Sequence, residues 1–218
     1  MNRQLVHHLT ITENTADVFS LQFSEDGTVL AAGCDDGAVR IFDTTTGALL
    51  FTMGTADASA LAITGVRFRP AGSGEGRAKN VLLAASAGGV VQHWHYPSRK
   101  VLSKFVERDN QVYGLDYRSD GAQFGTTGKD RAVRVYDEGT GKLVVEMTTG
   151  LSRGAPGHSN RVFSLKYDPD SGNTVVTGGW DNTVQVWDVR TGYATHNIFG
   201  PHIAGDSLDV ANGRVVTG

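Results

Sequence analysis

The stretch Val162–Asp188 reads "VFSLKYDPDSGNTVVTGGWDNTVQVWD" and holds three strand-forming runs parted by turn residues. "VFSLKY" (Val162–Tyr167), "TVVTGG" (Thr174–Gly179) and "TVQVWD" (Thr183–Asp188) are rich in β-branched and aromatic side chains, which fit a pleated, half-buried surface. Between them lie "DPDSG" (Asp168–Gly172) and Asp181-Asn182, residue types that supply the backbone conformations of tight turns. A fourth run follows another Gly turn, seen most clearly as "TGALLFTM" from Thr46 and "TGKLVVEM" from Thr140. Apolar residues never recur at helical spacing over the ten or more positions a helix needs.

The same order recurs along the chain. First runs are "VFSLQF" from Val18, "ITGVRF" from Ile63 and "VYGLDY" from Val112, with turns "SEDG" (Ser24–Gly27) and "RSDG" (Arg118–Gly121) after the first and third. Second runs are "TVLAAG" from Thr28, "NVLLAAS" from Asn80 and "AQFGTTG" from Ala122. Third runs are "AVRIFD", "VVQHWH" and "AVRVYD", closing at Asp43, His95 and Asp137. A period of roughly 40 to 50 residues signals a propeller or solenoid, and four short antiparallel strands per unit match one propeller blade. The expectation is an all-β chain with blades at about 17–53, 61–106, 111–149 and 161–199, a partial fifth blade at 206–218 and an outer strand at 4–11. The whole of 1–218 forms one domain, a length at which all-β folds commonly remain undivided.

Composition excludes several functions. With 20 Lys and Arg against 23 Asp and Glu the net charge is −3, which leaves no electrostatic footprint for nucleic acid or an anionic membrane. The single cysteine, Cys34, cannot form an internal disulfide, and Cys/His spacing suited to zinc is absent; this reads as an intracellular chain without redox chemistry. No run approaches eighteen apolar residues, and "MNRQLVHHLTI" at Met1–Ile11 lacks the features of a targeting segment. His93 and His95 alternate on one strand, but a third metal ligand is not evident. The Gly-rich "AGSGEGR" (Ala71–Arg77) lacks the ending of a phosphate loop. It reads as a flexible loop, as does "GLSRGAPGHSN" (Gly150–Asn160). No cofactor is expected.

"VWD" at Val186–Asp188, with "IFD" at Ile41–Asp43 and "VYD" at Val135–Asp137, resembles the Trp-Asp signature of WD repeats. A second acid precedes each at the same spacing, as Asp181, Asp36 and Asp130, and Gly157-His158 resembles the pair that opens a typical repeat. The resemblance implies a WD-repeat β-propeller of four complete blades plus a partial fifth, an incomplete ring or a truncated one. It further implies a buried structural network of His158, Thr177, Asp181 and Trp187, with Asp36 and Asp130 in the matching turns. At the His position the other units carry Asn14, Ser59 and Arg108, and the second unit has Gly88 for the turn acid; those blades are expected to rest on packing and turns.

Partners in such propellers bind mainly on the face holding the turns between second and third strands. By resemblance that face carries Phe19, Tyr113 and Phe163, with Asp17, Gln111 and Arg161 two residues earlier, and Asp35, Lys129 and Trp180 before the turn acids. Trp180 has two readings, an exposed anchor for a partner or packing over its own blade. The functional expectation is a non-enzymatic scaffold that binds other proteins or peptide segments, with self-association through open sheet edges as a further contact. The alternatives are a propeller hydrolase or lyase with a central-channel site, and a chromatin or histone-tail reader.

Overall fold

The structure is a computed structural model that describes residues 6–54, 60–70, 80–148 and 157–218. Four antiparallel sheets follow one another along the chain. The first comprises β1 (Val18–Phe23), β2 (Val29–Cys34), β3 (Val39–Asp43) and β4 (Leu49–Met53), and the second β5 (Ile63–Phe68), β6 (Val81–Ser86), β7 (Val90–His95) and β8 (Lys100–Val106). The third comprises β9 (Val112–Tyr117), β10 (Gln123–Gly128), β11 (Val133–Asp137) and β12 (Leu143–Met147). The fourth holds β13 (Val162–Tyr167), β14 (Thr174–Gly179), β15 (Thr183–Asp188) and β16 (Tyr193–Phe199), and β17 (Leu208–Ala211) pairs with β18 (Arg214–Thr217) in a two-stranded sheet. Every four-stranded sheet is a simple meander, each strand bonded to its sequence neighbour.

The first strands of successive sheets lie against one another, β1 on β5, β5 on β9, β9 on β13 and β13 on β17. This fans the sheets about a common inner edge. Each interface between sheets buries its own apolar layer. Ala31, Val39, Ile41 and Met53 meet Val66, Leu82 and Trp94 across the first interface. Val135 and Met147 meet Leu165, Val175 and Trp187 across the third, and Val176 and Val184 meet Ile203, Leu208 and Val210 across the fourth. The inner strands approach so closely that a Cβ on Gly114 would sit 2.6 Å from Thr127 Cγ2 and 3.0 Å from the Leu165 amide nitrogen, room that only glycine leaves. Side chains then stitch one inner strand to the next. The Val66 amide donates to Ser20 Oγ (3.1 Å), the Phe68 amide to Gln22 Oε1 (2.5 Å) and the Tyr167 amide to Asp116 Oδ2 (2.9 Å).

Pairing slips by one residue after the first position of each inner strand, leaving Phe19, Thr64, Tyr113 and Phe163 out of register. A bulge of this kind leaves its extra residue unpaired and re-aims its side chain. On β1 the positions of Val18, Leu21 and Phe23 are exposed, whereas their counterparts Val162, Leu165 and Tyr167 on β13 are buried by the preceding sheet. Residues 6–16 form no strand. They run along the outer part of the first sheet, where Ile11 and Ala16 pack on Ala32, Cys34 and Phe42 and the Leu49 amide donates to Glu13 Oε2 at 3.0 Å. Residues 4 and 5 of the expected outer strand, Ser59, the Ala71–Arg77 loop and Gly150–Pro156 lie outside the described residues.

Candidate functional site: a rim braced from inside the blades

The turn between second and third strands is built alike in three blades. Asp36, Asp130 and Asp181 each accept the amide two residues on, from Ala38, Ala132 and Thr183, at 3.1 Å. This is the self-bonded turn that Asp favours. The residue after the acid takes positive φ, at 76° for Gly37, 72° for Arg131 and 57° for Asn182, and in the second blade Gly88-Gly89 make the same bend with φ 72° at Gly89.

Beneath the fourth turn the expected residues meet. Trp187 Nε1 donates to Thr177 Oγ1 at 2.7 Å, His158 Nε2 lies 2.7 Å from the same hydroxyl, and His158 Nδ1 lies 2.8 Å from Asp181 Oδ2. A carboxylate accepts only, so Nδ1 carries the proton and Nε2 accepts from Thr177, giving a chain of donors that runs one way. Burial alone raises the Asp181 carboxyl, but bonds from His158, Thr183 and the Ser159 amide outweigh it and hold the group at about 2. His158, Thr177 and Trp187 are all buried, so the Asp-His-Thr set braces the turn and offers no nucleophile to a substrate.

The third blade departs from expectation. Arg108 is exposed, and Glu107, buried, stands where His158 stands in the fourth blade. Glu107 Oε1 accepts from Thr126 Oγ1 at 2.5 Å and from Tyr136 Oη at 3.0 Å, while Oε2 accepts from Asn110 Nδ2 at 2.6 Å and from Arg134 Nη1 at 3.3 Å. Thr126 and Tyr136 match Thr177 and Trp187 in register. A carboxylate thus replaces the imidazole, and Arg134, which also reaches Asp130 and Glu146, supplies the charge that a buried carboxylate requires. This blade therefore rests on a polar network as well as on packing and turns, because four donors satisfy the acid. In the first blade Ala32 and Phe42 occupy the Thr and Trp positions, an apolar pair that needs no hydrogen bond. In the second, Ala84 and Trp94 occupy the Thr and Trp positions, and Trp94 Nε1 has no partner among the described residues.

Above these networks a second regularity sets the rim. In every blade the residue before the inner strand accepts, through its carbonyl, the amide of the residue before the turn: Asp17 from Asp35, Ala62 from Ala87, Gln111 from Lys129 and Arg161 from Trp180, at 2.9–3.0 Å. The paired side chains emerge together. Tyr113 and Phe163, thrown outward by their bulges, stack at 4.5 Å and 13° across the third and fourth blades. Phe163 lies 4.7 Å from Trp180, the His202 ring stacks on Trp180 at 6.2 Å, and the Arg161 guanidinium sits 5.8 Å from the Trp180 centroid. Trp180 keeps 39% of its surface in solvent. Phe19, 62% exposed, stands apart from this ladder because Thr64 takes the intervening position, its hydroxyl donating to the Val112 carbonyl. His202, on the segment leading to β17, is the member that sequence reasoning missed; it has no counterpart in the repeat.

Two further clusters line the fan. Arg67 reaches Asp116 and Asp206, and Lys166 lies 3.2 Å from Asp206, so the acids along the inner edge are matched by cations. Between the second and third blades Arg69 pairs with Glu138, and His93 Nε2 lies 2.8 Å from Tyr117 Oη. Burial lowers the His93 imidazole to about 4, against the pull of Glu138. His95 instead meets Ser98 at 2.6 Å, so the two histidines have separate partners. No three His, Cys, Asp or Glu residues converge as a metal site among the described residues.

Four-stranded meanders fanned on their first strands, with self-bonded Asp turns in three of them and a His-Thr-Trp network bracing the turn of the fourth, define a WD-repeat β-propeller. Residues 151–188 match the WD domain, G-beta repeat family, and residues 1–71 match the anaphase-promoting complex subunit 4 WD40 domain. The chain belongs to the WD-repeat family. It is 23% identical over 93% of its length to the U3 small nucleolar RNA-associated protein 21 homolog of Schizosaccharomyces pombe. It is 27% identical over 84% of its length to the APC/C activator protein CDC20 of Saccharomyces cerevisiae, and 26% identical over 80% to the guanine nucleotide-binding protein subunit beta of that yeast. It spans 20%, 27% and 36% of those proteins respectively. A chain in the crystal structure of the mitotic checkpoint complex shares the fold with a TM-score of 0.70 at 22% identity, covering 87% of this chain and 53% of that one. Among the described residues no helix is long and apolar enough to cross a membrane.

Proposed function

We propose that this chain is a non-catalytic platform that binds other proteins, or peptide segments of them, on the rim formed by its third and fourth blades. The observation that carries the reading is the continuous ladder of Tyr113, Phe163, Trp180 and His202 with Arg161 against it. Exposed Trp, Tyr and Arg dominate the energy of protein interfaces, and the bulges and backbone pairs hold these side chains in place before a partner arrives, which lowers the ordering cost of binding. Relatives named as an activator of the APC/C and as a subunit of a guanine nucleotide-binding protein support a role within assemblies. A relative named for small nucleolar RNA supports an intracellular setting. The non-enzymatic reading is supported by the burial of the Asp-His-Thr set and by the cation held against each inner-edge acid.

The test is Trp180→Ala. Its ring lies partly in solvent, so folding stability changes by less than about 1 kcal/mol, while capture of partners in affinity purification falls. Unchanged capture with lowered thermal stability would return Trp180 to a packing role.

A further inference from the structure

The four backbone-linked pairs on the rim differ in charge around the fan. The first blade presents Asp17 and Asp35, with Asp36 held by Arg40, the second Ala62 and Ala87, the third Gln111 and Lys129, the fourth Arg161 and Trp180. The rim therefore passes from acidic through uncharged to basic, and the basic end coincides with the aromatic ladder. Nearby carboxylates do not neutralise that end. Asp181 is spent inside the blade on His158, Ser159 and Thr183, and Asp130 is taken by Arg134. Arg108 and Asp109, both exposed and adjacent, cancel each other, while Lys129 and Arg131 stand exposed and Arg161 half-buried.

From this we infer, resting on the platform reading above, that the rim at Trp180 takes an acidic peptide: a segment whose aromatic side chain packs against the exposed edge of the Trp180–Phe163 stack while flanking carboxylates pair with Arg161 and Lys129. Set over the Trp180 ring and bonded through its side chain to no acceptor among the described residues, the Arg161 guanidinium offers its donor edge to a bidentate carboxylate contact. Segments rich in lysine or arginine are disfavoured at this end.

Three fluorescein-labelled peptides with a central Phe, flanked by Glu, Gln or Lys, titrated by fluorescence anisotropy at low and high salt, test the assignment. The Glu-flanked peptide binds the intact chain about tenfold more tightly than the Gln-flanked one, the factor two exposed charge pairs supply, and raised salt shrinks that margin. In the Arg161→Gln, Lys129→Gln double variant the margin disappears, and the Glu-flanked and Gln-flanked peptides bind that variant equally well. Binding lost on Trp180→Ala but equal for all three peptides, or tightest for the Lys-flanked one, overturns the acidic assignment and leaves the platform reading standing. Binding by none of them, or binding that survives Trp180→Ala, overturns both.

Discussion

Replacing Thr177 by Val tests whether the buried network of the fourth blade stabilises the fold. The change keeps the shape of the side chain and removes its hydroxyl, which lies 2.7 Å from both Trp187 Nε1 and His158 Nε2. Trp187 is 0% exposed and His158 5%, so neither nitrogen reaches water. An unsatisfied buried group costs about 1–3 kcal/mol; two of them, less the desolvation of the deleted hydroxyl, give a net loss of about 2–4 kcal/mol. Urea unfolding reads this as a lower midpoint at unchanged slope. The first blade supplies the control, since Ala32 and Phe42 replace hydroxyl and indole together there. Adding Trp187→Phe to Thr177→Val therefore costs less than the sum of the two single changes, by about 1 kcal/mol in a double-mutant cycle. A Thr177→Val midpoint within about 0.5 kcal/mol of the parent, or strict additivity in the cycle, would refute the argument that these bonds hold the turn.

Glu107→Gln in the third blade sets an amide NH2 against existing donors and weakens the compensation of Arg134, so thermal unfolding falls by the equivalent of about 2–4 kcal/mol; an unchanged melting temperature would contradict the network assignment. Acid weakens the chain in two stages. His93 titrates lower folded, at about 4, than its ordinary 6.5, so the unfolded chain binds the extra proton and about 3 kcal/mol is lost as pH falls from 6.5 through 4. Asp181, held at about 2 against 3.8, contributes fully above its unfolded value and loses about 2 kcal/mol as pH falls from about 4 toward 2. Urea midpoints measured across pH show both stages, and His93→Gln flattens the upper one; a slope between pH 6.5 and 4 that persists in that variant places the titrating group elsewhere.

The blades were legible because their signals are local. A first run such as "VFSLKY", an Asp turn and a closing "VWD" each act within a few residues, and Asp36, Asp130 and Asp181 bond only two positions ahead. His158, Thr177 and Trp187 were legible through their resemblance to a known pattern. Glu107 was hidden because a carboxylate breaks that pattern; its signals were Arg134 and Tyr136 on the strand below it, a cation and a phenol pointing at one buried acceptor. Arg67 and Asp206 join the second blade to the segment entering β17, a contact fixed by the curvature of the whole fan and invisible to any periodicity. The rim ladder lies between these cases. The repeat places Tyr113 and Phe163 at equivalent positions, but only the close approach of neighbouring inner strands makes them stack, and Thr64 in the second blade isolates Phe19 from them.

The most direct test of the platform reading is site-specific photo-crosslinking, with a photoreactive phenylalanine analogue introduced singly at Trp180 on the ladder and at exposed Leu143 on the outer edge of the third blade. Adducts to partner proteins concentrated at position 180 and scarce at 143 are the predicted result. Adducts at 143 with none at 180 would contradict it.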